Sequence, residues 1–324
     1  MGYEFYADEP VREAVVRNAR EQLDRAVGEL SERIGEDPED AVHSARKAIK
    51  QERSLLRLAR GAMSPRERRR ENASLRDAAR GLSGARDADV MIATVNKLAE
   101  RYVGQLPATT FDAVREQFEQ RRGERSGSAL DARAVQELGA VRLRVDDWQL
   151  RRGGWRAIEP GLARSYKDGL KAFGRARSSR TVEDLHNWRK RVKDLWYHSR
   201  LLAPACGPQV HGQAKDAHRL SELLGDDHDL GVLREALTSG ELAVAADVDA
   251  VVLLVDHRRD ELQAEAFHVG ERVYAESPQA FLRRMRRSWE AGRAVARAAA
   301  EQRPSELAEA TRVPRHAGDV SGGA

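Results

Sequence analysis

His43-Ser44-Ala45-Arg46-Lys47-Ala48-Ile49-Lys50 and, 143 residues later, His186-Asn187-Trp188-Arg189-Lys190-Arg191-Val192-Lys193 carry the same pattern, His-x-x-Arg-Lys-x-x-Lys. At the same offset Arg57 matches Arg200 and Leu58 matches Leu201. A repeat of this length means one supersecondary unit built twice. The shared residues are mostly cationic, so core packing alone does not account for them. A paired anion-binding surface is the expectation.

The spacing places each copy on one helix. With His43 at zero, a helical advance puts Lys47 at about 40°, Lys50 at about 340°, Arg57 at about 320°, Arg46 at about 300° and Arg53 at about 280°. The opposite side carries Val42, Ala45, Ala48, Ile49, Leu55, Leu56 and Ala59, a stripe that must face a core. In the second copy His186, Arg189, Lys190, Lys193, Tyr197 and Arg200 share a face opposite Leu185, Trp188, Val192, Leu195 and Leu202, and Trp196 takes the place of Arg53. Cations at these spacings repel one another by about 0.2–0.5 kcal/mol per pair. A merely solvated face would intersperse acids, so the rows call for an anion. Tyr197 has two readings, a donor to an oxyanion or a cap on the edge of the core.

Shorter rows accompany these two. Arg164, Lys167, Lys171 and Arg175 fall at helical spacing, as do Lys215 and Arg219, and the first half offers Arg76 and Arg80. Arginine grips oxyanions with a planar fork, lysine supplies a point charge, and histidine adds a donor whose charge depends on pH. Cations recurring about every 5 Å along a helix suit a ligand of regularly repeated charge. A phosphate-rich polymer fits this mixture, and nucleic acid is the alternative that charge alone leaves open. Base stacking would favour RNA, but aromatics are only 5% of the chain.

Apolar residues recur at three- and four-residue intervals throughout the 324 residues, without sustained alternation, and predict an all-α chain. Asp37-Pro38, Ser64-Pro65 and Thr181-Val-Glu-Asp184 read as helix starts. Helices are expected near 9–34, 38–60, 65–82, 86–104, 109–122, 129–150, 158–176, 181–203, 209–224, 228–241, 247–274 and 278–301. Arg151-Arg152-Gly153-Gly154 divides the chain into repeats of about 9–150 and 155–300 within one domain, 9–300. Gly123–Ser128 reads as a flexible loop, and 301–324 as a disordered tail.

The 56 Lys and Arg nearly balance 52 Asp and Glu, so a strong local field requires clustering. Cys206 stands alone, which excludes an internal disulfide or a cysteine zinc site and fits a reducing compartment. The first residues lack a basic region followed by an apolar stretch, and the most apolar segment, Val251–Val255, lies between Asp249 and Asp256. Neither a leader nor a membrane span is expected, and the cytoplasm is the expected location.

A second pair of motifs lies 142 residues apart: Leu82-Ser-Gly-Ala-Arg-Asp87-Ala-Asp89-Val90 and Leu224-Gly225-Asp226-Asp227-His228-Asp229-Leu230-Gly231-Val232. Asp226, Asp227, His228 and Asp229 could hold a divalent ion and serve a phosphohydrolase. The preferred reading is a glycine helix stop followed by an Asp cap, with aspartates orienting nearby cations. His198, His211 and His218 form no zinc pattern, and neither a phosphate-binding loop nor a nucleophile and base pair is present. No catalysis, metal or cofactor is expected.

Together, the two His-x-x-Arg-Lys-x-x-Lys segments, Leu82–Met91, Tyr166-Lys167 with Lys171, and Leu224–Leu233 resemble the CHAD family of histidine-containing α-helical domains, over about residues 9–300. The resemblance implies two pseudo-symmetric helical bundles with basic faces lining a central groove or pore. It also implies binding of inorganic polyphosphate and association with polyphosphate granules. Some members are fused to a strand-rich triphosphate-tunnel domain with a Glu-x-Glu-x-Lys motif, which this sequence lacks. Trp196, Ser83 and the pair Gln51-Glu52 depart from the usual pattern. If both motif histidines titrate near neutrality, lower pH should tighten binding.

Overall fold

The computed structural model describes residues 2–82, 87–125, 132–240 and 247–310. Apart from one isolated bridge between Val103 and Leu106, the regular elements of these residues are all helical. In chain order they are α1 (Val11–Gly28, prolonged by a π-turn Glu29–Arg33), α2 (Pro38–Leu58, ending in a 3-10 turn Ala59–Gly61), α3 (Pro65–Gly81), α4 (Asp87–Arg101), α5 (Ala108–Arg125) and α6 (Ala132–Arg144). The second half holds α7 (Trp155–Ser179), α8 (Val182–Cys206), α9 (Pro208–Thr238), α10 (Val248–Val273) and α11 (Pro278–Ala310).

The starts follow local chemistry. Asp37 accepts from the Asp40 amide, Ser64 from Glu67 and Thr181 from Asp184, each satisfying an amide that the helix leaves open. One expected break does not occur. The Leu224-Gly225 stop is absent, and α9 runs through it without interruption. Arg189 of α8 lies against this stretch, its guanidinium 3.5 Å from where a Cβ at Gly225 would stand, an ordinary contact distance. The acids beyond it are held by other helices: Asp226 by Lys97 of α4 at 3.1 Å, and Asp227 by Arg259 of α10 at 3.1 Å. Tertiary partners thus override a local stop signal. At the matched place in the first half α3 does end, at Gly81 with Leu82 as its cap.

Two further differences are smaller. Helix α5 runs to Arg125, into the segment read as a loop, and residues 126–131 lie outside those described. Helical backbone in α11 continues to Ala310, past the expected start of the tail at 301, and the remaining tail residues also lie outside.

In the first half α1 packs on α2 and α6, α3 on α2 and α6, and α4 on α5. In the second, α8 lies between α7 and α9, α10 covers α9, and α11 crosses α7 and α8. The halves meet where α2 touches α7 and α8 and where α4 touches α9. At the second contact Lys97–Asp226 and Arg101–Glu261 bridge α4 to α9 and α10 around a cleft lined by Leu98, Leu230 and Leu262. One continuous apolar cluster includes Ile49, Leu55 and Leu56 of α2 together with Trp188, Val192 and Leu195 of α8. The core stripes read from the sequence are buried on both helices.

The tightest junction is backbone against backbone. A Cβ at Gly161 of α7 would fall on the carbonyls of Leu58 and Arg57, so only glycine lets α7 seat on the end of α2. Gly174, on the same helix, faces open space. Gly174→Ala should therefore stabilise the protein by up to about 1 kcal/mol, whereas Gly161→Ala should lower the melting temperature despite the better helix propensity of alanine. Thermal unfolding of the two variants checks this, and equal gains would contradict the close approach.

Candidate anion-binding site

The two cationic faces share one burial register. His43 and His186, Arg46 and Arg189, Lys50 and Lys193, and Arg57 and Arg200 are half-buried, while Lys47 and Lys190 are exposed. Half-burial covers the aliphatic stems and leaves the charged heads near the surface. In both halves the motif arginine reaches the second repeated segment: Arg46 donates to the carbonyl of Leu82 at 2.6 Å, and Arg189 lies over Gly225. The two repeated motifs of each half therefore meet in space.

The halves are joined at matched positions. His198 Nε2 donates to the Ser54 carbonyl at 3.0 Å, one residue from Tyr197, the counterpart of Ser54. Arg57 pairs with the buried Asp194 at 2.6 Å, and Arg191 approaches the same carboxylate at 3.9 Å. Arg57, read as an anion ligand, thus also ties α2 to α8. Tyr197 is not on the exposed strip. It is 5% exposed, stacked on Trp196 and edge-on to Tyr3, the placement of a side chain that caps the edge of the core. Arg53 donates to Asn72 at 3.1 Å, and burial followed by the charge of Arg57 lowers its pKa.

His186 packs against His228, the two rings tilted by 33° with centroids 4.6 Å apart. Burial, then Lys190, His228, Arg189 and Lys193, lower the pKa of His186 to about 4. His228 is lowered too, by burial first and then by Arg189 and Lys193. Burial first, and the neighbouring cations after it, thus favour the neutral ring of His186 in the fold, which runs against a gain of charge between pH 8 and 6.

The second-rank residues divide. Lys167 and Lys171 are exposed on α7, and Lys171 lines a cleft with Arg175 and with Asn187 and Arg191 of α8. Arg164 pairs with Asp168 at 3.3 Å. Lys215 is exposed on α9, but Arg219 is drawn to Glu265 of α10 at 2.7 Å. The acidic segment offers no metal cage: Asp226 and Asp227 point to different cations, and no group of three His, Cys, Asp or Glu among the described residues is placed to hold an ion. His198 is fully buried, as a packing histidine would be.

Sequence reading missed two features. Arg60 lies three residues beyond Arg57, and Arg68 sits near the start of α3, in the field of Arg57 and Arg164. The run Arg68-Arg69-Arg70 just after Ser64-Pro65 was the available signal. The other is Glu52, completely buried with neither carboxyl oxygen hydrogen-bonded. Burial, followed by the charge of Glu71, pushes its pKa up to about 8.

These groups shape stability against pH. His198, buried and held at about 4 against an ordinary 6.5, stays neutral in the fold while the unfolded chain takes up its proton. It withdraws about 1.4 kcal/mol per unit as pH falls below 6.5 towards 4. Glu52 acts oppositely: it remains protonated in the fold while ionising above about 4.5 when unfolded, so stability falls as pH rises towards 8. The melting temperature should decline from pH 6.5 to 8, and Glu52→Gln should abolish that decline. An unchanged slope in the variant would show that Glu52 is not the group responsible.

The family model described as CHAD domain matches residues 14–238. No curated protein matches the chain. Among solved structures, PptA from Streptomyces chartreusis superposes with a TM-score of 0.59 at 15% identity, over 83% of this chain and all of that one. The CHAD domain from the plant Ricinus communis superposes with a TM-score of 0.54 at 19% identity, over 87% of this chain and 94% of that one. At these identities the structural likeness is one of fold, whereas the sequence match spans more than half of the chain. With its paired cationic helices and all-helical fold, the chain belongs to the CHAD domain family.

Proposed function

We propose that this protein binds inorganic polyphosphate along the cationic faces of α2 and α8. The observation that carries the reading is the matched register of the two rows: the same residue types, at the same exposure, on two helices in contact. His43, Arg46, Lys47 and Lys50, with Arg53 and Arg57, form one row; His186, Arg189, Lys190, Lys193 and Arg200 form the other, and Lys167 and Lys171 flank them. Repeated, regularly spaced charge on the protein complements repeated charge on the ligand. The family resemblance points to the same polymer, and to a groove or pore between two related bundles. In this reading the protein binds and performs no chemical step, and its place is the cytoplasm, at polyphosphate granules. No helix among the described residues is long and apolar enough to cross a membrane.

A phosphate chain neutralised at several points releases counterions, so affinity should fall steeply with salt. Calorimetry with long-chain polyphosphate at two salt concentrations is expected to show tight, salt-dependent binding by the wild type. Binding should be at least tenfold weaker in a Lys50→Glu, Lys193→Glu variant that keeps its circular dichroism spectrum. Unchanged binding would sink the assignment, and displacement by single-stranded RNA at matched phosphate concentration would transfer it to nucleic acid.

The neutral state of His186 gives a second expectation. His186→Gln should leave the pH profile of binding between 8 and 6 as in the wild type, since no proton is taken up there. A profile that flattens in the variant would show that the ligand draws a proton onto this ring.

A further inference from the structure

The cationic face of α2 does not end at Arg57. Arg60 continues it through the 3-10 turn Ala59–Gly61, and the chain re-enters helix at Pro65, so that Arg68 lies one turn into α3. Helix α7 closes this junction. Gly161 rests on the carbonyls of Arg57 and Leu58, and a Cβ at Gly61 would come within 2.8 Å of the Ala157 carbonyl. Three residues beyond Gly161, Arg164 comes within electrostatic reach of both Arg60 and Arg68. Three elements packed together at this junction thus bring guanidinium groups within one another's electrostatic reach.

The arrangement is unfavourable as it stands. Arg60 and Arg68 are half-buried, and neither has a carboxylate in ion-pair contact among the described residues. Asp168, whose charge partly offsets that of Arg60, holds Arg164 at 3.3 Å. Burial first, then neighbouring arginines, push both guanidinium pKa values down. Arg68 also stands near the amino end of α3, where the helix dipole disfavours a cation and favours an anion. A dianion with several acceptor oxygens would relieve all of this, and the planar forks of arginine suit it.

We propose that Arg60, Arg68 and Arg164 form a phosphoryl-binding subsite at the junction of α2, α3 and α7. It takes one phosphate group, either of a small free phosphate or of a chain arriving along α2 past Arg57. The subsite shares its ligand chemistry with the polyphosphate reading but rests on different residues, so the two can fail separately.

The test is calorimetry on the full chain with pyrophosphate and with long-chain polyphosphate. It compares wild type, an Arg60→Gln, Arg68→Gln variant and a Lys190→Gln, Lys193→Gln variant. Pyrophosphate should bind the wild type and bind the arginine variant at least tenfold more weakly, a larger loss than in the lysine variant. Weaker long-chain binding by the arginine variant would place a group of the polymer in the subsite, and unchanged long-chain binding would assign it to free phosphate. Either result supports the subsite. No pyrophosphate binding by the wild type, or equal binding by the arginine variant, overturns it. In that case long-chain binding lost in the lysine variant would still stand for the polyphosphate reading. Because repulsion is relieved, the arginine variant should melt without phosphate at or above the wild-type temperature. A clear drop would overturn the proposal by showing that these guanidiniums serve the fold.

Discussion

Where α2 crosses α8, Arg57 meets the buried carboxylate of Asp194 while His198 donates to the Ser54 carbonyl. This crossing fixes the two cation-bearing helices relative to each other. Such a pair adds little net stability over an apolar contact, but removing Arg57 would strand the buried carboxylate of Asp194. The pair therefore acts chiefly as a constraint on register. The aromatic stack of Trp196 on Tyr197, with Tyr3 edge-on, fills the space beside it, so the crossing is held by shape as well as by charge.

Around that constraint the molecule tolerates several costly placements. The cation rows repel internally, His186 and His228 lie among lysines and arginines, and Glu52 is buried without a hydrogen-bond partner for its carboxyl oxygens. Each is affordable because the apolar cluster behind α2 and α8 is continuous across both halves. The tight seat of Gly161 on α2 serves the same end, since it brings α7 and its cations to the surface without opening the core.

Much of this was legible in the sequence. The cationic faces of α2 and α8, the stripes behind them and the three capped starts depend on residues close together in the chain, and periodicity reads such patterns directly. What escaped it depends on residues far apart. Gly225 looked like a helix stop because the sequence does not show Arg189 approaching it, nor Lys97 and Arg259 receiving the acids that follow. Tyr197 falls near the basic sector of a wheel, yet the neighbouring Tyr3 and Trp196 draw it inside. Arg57 was read as a surface ligand because its carboxylate partner is in the other half. Arg60 and Arg68 belong to different elements with a break at residues 62–64 between them, so no single helical face contains both, and only the fold brings them together.

The attachment of α4 to α9 and α10 has a consequence for how the protein opens. Its ion pairs, Lys97–Asp226 and Arg101–Glu261, are largely exposed, and such pairs contribute only about 0–1 kcal/mol each. Between them lies an open cleft lined by Leu98, Leu230 and Leu262, so the seam itself is thinly filled. Local stability follows the density of buried contact. On this ground α4 and α5 are expected to open ahead of α2, α7 and α8, whose stripes lie in the continuous core.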